Sequence, residues 1–315
     1  MSDSNDIQGR GFMNGDRSEL LRRHFLAQVG AVGVTSFCAS QSMLASSLQA
    51  SSATKLKLGL VTYQWGKDWD LPTIIKNCSE TGFGGVELRS THKHGVEITL
   101  DQRARDEVRK RFADSPIELV GLGSACEYHA VDLTVVQKNI EETKAFIDLC
   151  KDLGGSGVKV RPNGLPKEVP VEKTLEQIGK ALSVVGKYAA EKGVQIRVEV
   201  HGSGTQEIPR MKTIMDVADH PSVVVCWNCN PTDLVGDGFE ANFSMLEEWM
   251  GTIHIHDLRP GKINYPWKEL FPRLLNCNAP GFTGWCLMEE GTVPADIVAA
   301  MKENKVCFDD LVAKR

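Results

Sequence analysis

From Lys55 to the C-terminus, short apolar runs rich in β-branched residues alternate with longer stretches whose apolar positions recur every 3.6 residues. The short runs predict strands at 57–63, 85–88, 117–121, 157–161, 195–200, 223–227, 252–256 and 284–288. The longer stretches predict helices at about 70–82, 100–114, 132–153, 171–192, 207–219, 241–250, 266–275 and 294–304. Asp70, Thr99 and Asp132 stand where a helix start needs a side-chain acceptor for its free N–H groups. Gly82, Gly154 and Gly193 stand where helices end in a left-handed residue.

Strand and helix thus alternate eight times. This predicts an α/β fold, a single closed (β/α)8 TIM barrel over residues 54–315. The rival is an open doubly wound sheet, which places a glycine-rich phosphate loop after its first strand. This chain has Thr62-Tyr63-Gln64-Trp65-Gly66 there, which is no such loop.

Residues 1–53 follow a different pattern. Arg22 and Arg23 precede an apolar stretch at 25–39, and a Ser- and Ala-rich run continues to Ala53. That order is the order of a twin-arginine export signal. The apolar stretch is too short to span a bilayer. The expectation is an exported, periplasmic or extracytoplasmic protein. This route carries chains that are already folded.

Composition narrows the function classes. The formal net charge is -5, with Lys and Arg scattered along the chain. A nucleic-acid partner calls for a basic stripe instead, so none is expected. No apolar run of membrane-spanning length follows the leader, so no span is expected in the mature protein. The nine cysteines are dispersed and read as small buried hydrophobes. Cys226 and Cys229 have a redox-like spacing, but they lie along a strand and their odd separation sends them to opposite faces. Association into a homo-oligomer is compatible with the sequence.

In such a barrel the chemistry sits at the C-terminal ends of the strands, and those ends are polar here. They read Glu87-Leu88-Arg89, Glu127-Tyr128-His129, Lys159-Val160-Arg161, Glu199-Val200-His201, Asn228-Cys229-Asn230, His254-Ile255-His256-Asp257 and Glu289-Glu290. Of the eight histidines, His92, His94, His129, His201, His254 and His256 all fall at strand ends. Period-two alternation puts Glu199 on one face with Arg197 and His201, and His254 on one face with His256. A carboxylate and an imidazole converging on the barrel axis leave a buried charge uncompensated unless a cation binds, and a divalent metal supplies one. The alternative is a structural ion pair of Glu199 or Glu289 with Arg197 or Lys159. The tandem Glu289-Glu290 leaves the position of the last carboxylate open by one residue.

Three segments carry a family resemblance. Val198-Glu199-Val200-His201-Gly202, the run from Gly251 through His254 to Asp257, and the run from Gly284 to Glu289 resemble the strand-five, strand-seven and strand-eight motifs of xylose-isomerase-like barrel enzymes. That superfamily includes sugar epimerases, hydroxypyruvate isomerases, inosose dehydratases and endonuclease IV. The resemblance implies one divalent ion (Mn, Mg, Co or Zn) held by Glu199, Asn228, His254 and Glu289. It implies that Glu199 and Glu289 also act as the paired acid and base of a proton transfer beside a carbonyl, through a metal-stabilised enediolate. Lys159, Arg161, His129, His201 and His256 would then contact the substrate, a small sugar or sugar acid. The family's strand-six Asp is Asn228 here, and Pro231 replaces its strand-six histidine. Asp233 is a nearby substitute ligand. The losses count against the endonuclease branch and keep a non-catalytic carbohydrate-binding barrel as an alternative to an isomerase or epimerase; a dehydratase or lyase, sharing the same enolisation step, is another.

Overall fold

Every predicted strand is present, and a helix follows each, in the computed structural model, which describes residues 55–314. In chain order the elements are β1 (Lys57–Val61), α1 (Leu71–Thr81), β2 (Gly85–Arg89), α2 (Gln102–Ala113), β3 (Glu118–Gly123) and α3 (Leu133–Leu153). Next come β4 (Gly157–Val160), α4 (Val171–Lys192), β5 (Gln195–Glu199), α5 (Ile208–Ala218), β6 (Val223–Asn228) and α6 (Gly238–Leu246). The chain ends with β7 (Met250–Ile255), α7 (Trp267–Leu275), β8 (Trp285–Met288) and α8 (Ile297–Ala313). All strand pairs are parallel and follow sequence order, and β1 pairs with β8, so the sheet closes. The twin-arginine segment lies outside the described residues. Among the described residues, no helix is long and apolar enough to cross a membrane.

Local chemistry explains where the helices begin and end. The Asp70 and Asp132 carboxylates accept from the N–H groups of Thr73 and Thr134 at 2.9 and 2.8 Å. Gly82, Gly154 and Gly193 close their helices at φ 78°, 84° and 68°, where a side chain would be strained. Thr99 is not the cap of α2. Asp101 takes that role by accepting from Ala104 N at 2.9 Å, since a carboxylate caps better than a threonine hydroxyl. The predicted helix at 241–250 sits earlier, because a short 3-10 turn at Glu247–Trp249 ends it and Met250 already enters β7. Helix α8 runs nine residues past its predicted end, carrying Phe308 onto Phe271 with ring centroids 5.5 Å apart.

Alternation divides the strand residues into two sets. Leu58, Val86, Leu119, Val158, Ile196, Val225, Ile253 and Cys286 face outward into the main core, which the helices cover. Inside the barrel a small apolar group of Val61, Val120, Trp285 and Leu287 is separate from that core. The rest of the interior is polar. Arg197, wholly buried, donates to the Val120 carbonyl at 2.9 Å, to Ser156 Oγ at 2.8 Å and to Gln195 Oε1 at 3.2 Å. It fits because Gly157 lacks a Cβ, which would lie 2.3 Å from Arg197 Nε. Arg197 is therefore spent on one strand carbonyl and the Ser156 and Gln195 side chains, and does not pair with Glu199.

Candidate active site

Glu199, Asn228, His254 and Glu289 come from four successive strands, β5 to β8, and meet at the C-terminal mouth of the barrel. Glu199 and Asn228 end their strands, His254 is one residue short of the end of β7, and Glu289 directly follows β8. His254 is wholly buried, Glu199 is 2% exposed and Glu289 8%. His254 Nδ1 lies 3.2 Å from Glu289 Oε2 and 3.6 Å from Glu199 Oε1. One donor atom from each of these three residues lies within 4.8 Å of the other two. Asn228 Nδ2 lies 3.3 Å from Glu199 Oε1, while its carbonyl Oδ1 has no hydrogen-bond partner.

The atoms that face away from this cluster are held by other charged groups. Lys159 Nζ donates to Glu199 Oε2 at 2.8 Å, and both side chains are buried. Arg89 Nη1 lies 3.6 Å from Glu289 Oε1 and its guanidinium stacks on the Tyr63 ring. Burial opposes charge on Glu199, but the adjacent Lys159 ammonium and then His254 outweigh it and hold its carboxyl well below the usual carboxylate range. Glu289 is also lowered, by His254 and Lys159 against burial and the Glu199 charge.

This donor set fits a divalent ion. Two carboxylate oxygens and one imidazole nitrogen converge at a buried point, while the second oxygens of Glu199 and Glu289 are engaged by Lys159 and Arg89. Turning the Asn228 amide over would bring its unpartnered carbonyl oxygen to that point; the choice of amide orientation is set by the surroundings, which a cation would alter. Oxygen and nitrogen donors of this kind suit Mn, Mg, Co or Zn.

The other candidates separate into distinct places. Lys159 is not at the rim, where a substrate contact was expected. It lies inside the barrel below the mouth, because β4 points it inward and Glu199 captures its ammonium. Arg161 and His129 belong to a second group around Glu127, whose Oε1 accepts from Arg161 Nε at 3.1 Å and also from Asn163 Nδ2. His129 Nδ1 is 3.8 Å from Glu127 Oε2. His256 Nδ1 is 2.8 Å from the Glu289 carbonyl oxygen. His201 flanks Glu199 with its Nδ1 unpartnered. His94 is spent on loop structure, between the Arg89 carbonyl and Val96 N, and burial pushes its pKa down to about 4. Of the tandem pair, Glu289 joins the cluster, while Glu290 turns to the Asp257 N–H and His256.

Three residues of the site carried no role in the sequence reading: Glu87, Arg89 and Glu127. Glu87 and Arg89 share the inward face of β2, and charge at alternate positions of an otherwise apolar strand was their available signal. The cysteines in the described residues are all free, and Cys226 and Cys229 are buried with no disulfide between them.

Asp233 does not substitute for the strand-six ligand. Its Oδ2 accepts from the Tyr265 hydroxyl at 2.7 Å and from Asn230 N at 2.9 Å, inside the 3-10 turn that follows β6. Burial pushes its pKa up to about 7, against the pull of the Tyr265 and Asn230 donors. The unfolded carboxyl ionises near 4, so the unfolded state gains by releasing its proton first. Stability from this group is complete below that point and is lost as the pH rises through about 7, by up to about 4 kcal/mol. Asp233→Asn keeps an acceptor for both donors and removes the titration. Urea unfolding should therefore show the variant gaining on the wild-type protein between pH 5 and pH 8. A constant difference across that range would contradict the assignment.

The sequence matches the xylose isomerase-like TIM barrel family over residues 75–305. No curated protein is recognisably similar in sequence. Among solved structures, the fold is similar to that of the IOLI protein with a bound zinc atom, at 18% identity and TM-score 0.69, covering 82% of this chain and 99% of that one. It is also similar to 3-keto-D-glucoside 4-epimerase, YcjR, from E. coli, at 13% identity and TM-score 0.67, over 81% and 100% of the two chains. An L-ribulose 3-epimerase gives 16% identity and TM-score 0.68, over 82% and 95%. Closed barrel, strand-end chemistry and sequence match agree: the chain belongs to the xylose isomerase-like TIM barrel family.

Proposed function

We propose that this protein is a metal-dependent isomerase or epimerase of a small sugar or related polyhydroxy carbonyl compound. The observation that carries the reading is the convergence of Glu199, His254 and Glu289 in one buried cluster at the barrel mouth. The sugar epimerases among the structural neighbours support the substrate class.

The chemistry follows from the two carboxylates. A C–H bond next to a carbonyl is weakly acidic. One carboxylate removes that proton and the other returns a proton to the opposite face or to the neighbouring carbon. Lys159 keeps Glu199 ionised, and so able to accept a proton, despite its burial. Glu289 is ionised as well, so it would return a proton only after taking one up. A bound divalent ion would supply Lewis-acid stabilisation of the negative charge that proton removal leaves on adjacent oxygens. Arg161, His129, His201 and His256 surround the mouth and would orient substrate hydroxyls.

A second reading, a non-catalytic carbohydrate-binding barrel, draws on one observation. Asn228 and Lys159 together leave the cluster less negative than three carboxylate ligands would. One experiment separates the two. The protein is loaded with Mn, Co or Zn, the bound metal is counted, and a panel of ketoses is incubated with it in D2O. The isomerase reading expects one ion per chain and deuterium beside the carbonyl of at least one sugar. A chain that takes up no ion overturns it. A chain that binds ion and sugar without exchange establishes the binding barrel instead.

A further inference from the structure

Glu87 is a buried carboxylate that the proton-transfer scheme does not use. It lies on β2, its side chain points into the barrel, and it is 1% exposed. Neither of its oxygens has a hydrogen-bond partner. A buried carboxylate without a partner costs several kcal/mol, so its surroundings should offer it one. Arg197 and Lys159 act on it only at a distance, since both are committed to hydrogen bonds elsewhere. His254 Nε2 lies 3.5 Å from Glu87 Oε1, and that nitrogen is also unpartnered.

The two unpartnered groups face each other, and a closing movement of about half an ångström makes a hydrogen bond of ordinary length. The consequence lies on the other side of the ring. If Glu87 accepts from Nε2–H, the lone pair is left on Nδ1, the nitrogen that faces Glu199 and Glu289. The choice of which imidazole nitrogen ligates is set by the hydrogen bond that the other makes. Lys159 on Glu199 Oε2 and Arg89 on Glu289 Oε1 act in the same sense, each holding the atom that faces away from the cluster.

The geometry points to Glu87 as a positioning residue, which fixes His254 with Nε2 protonated and Nδ1 presented to the ion. The inference rests on the metal-binding reading above. Its test compares two substitutions by zinc titration calorimetry and by the visible absorption of the cobalt-loaded protein. Glu87→Gln keeps an oxygen that accepts from Nε2–H. Glu87→Met fills similar space with no acceptor. Glu87→Gln should bind zinc within about three-fold of the wild-type protein, and Glu87→Met about 10- to 100-fold more weakly. The cobalt spectrum should shift in Glu87→Met and not in Glu87→Gln. If Glu87→Met does not fold, as judged by circular dichroism of the metal-free protein, Glu87→Val makes the same comparison with a β-branched residue suited to a strand.

Wild-type zinc affinity and an unshifted cobalt spectrum in the acceptor-free variant would overturn the inference while leaving the metal reading intact. Equal losses in the Gln and acceptor-free variants would also overturn it, since only the charge would then matter. A wild-type chain that binds no zinc would instead remove the metal reading itself.

Discussion

Glu289→Gln should slow solvent-deuterium exchange into the substrate by about 10^2- to 10^4-fold, the usual contribution of a positioned acid or base, and leave the fold intact. The substitution is isosteric and removes only the ability to exchange a proton and one negative charge. Its structural cost is small, because its charged partner at the back, Arg89, is partly exposed and stacks on Tyr63. The matching change at Glu199 is less clean, since Glu199→Gln also strips the buried Lys159 ammonium of its counter-ion. Exchange should therefore be measured first in Glu289→Gln, alongside its melting temperature. A variant that exchanges at the wild-type rate would remove Glu289 from the proton transfer, whatever its effect on metal uptake.

Lys159→Met should cost about 3–5 kcal/mol of unfolding free energy in the metal-free protein, as expected when one partner of a buried ion pair is deleted. Lys159 Nζ and Glu199 Oε2 are 2.8 Å apart and both side chains are nearly inaccessible to water. Removing the ammonium leaves the Glu199 carboxylate in the barrel without its closest cationic partner, facing the Asn228 amide and His254. The Lys159→Met, Glu199→Gln double variant should recover much of the loss, because neither buried charge then remains, and the difference from additivity measures the coupling. Zinc should also shrink the loss in Lys159→Met, since a bound cation restores positive charge beside Glu199. Urea unfolding with and without zinc reads all of these. A single-variant loss below about 1 kcal/mol would mean that water reaches the pair, and that it behaves as a surface bridge.

Several of these contacts answer questions that the alternation of residues along single strands leaves open. Alternation orients Glu199 and His254 toward the axis, yet it equally allows Glu199 to pair with Arg197 or with Lys159. The pairing with Lys159 follows from neighbouring strands and the relative heights of side chains within the barrel. Arg197 reaches toward the Val120 carbonyl and Ser156, in space that Gly157 leaves free. Lys159 extends toward the mouth. The carboxylate–imidazole cluster and the ion pair are both built on Glu199, through different oxygens.

Asp233 marks a different limit. Proximity in sequence made it a substitute for the lost strand-six carboxylate, but the turn after β6 carries it to Tyr265. A capping box and a phenol hydrogen bond are local and strong enough to settle where a loop carboxylate points. Glu87 is the converse. It stands 167 residues before His254 in the chain, and no local pattern links them.

The sequence alone determined the eightfold alternation, the barrel, the inward faces of β5 and β7, and the helix ends set by Asp70, Asp132 and the terminal glycines. These depend on periodicity and on residues a few positions apart, so they are written in single segments. Tertiary structure alone decided that Glu289 rather than Glu290 enters the cluster, that Lys159 lies below the mouth, and that Glu87 meets His254. Those outcomes depend on the register between strands and on which side chains share the closed interior, and distances between remote segments exist only once the sheet has closed.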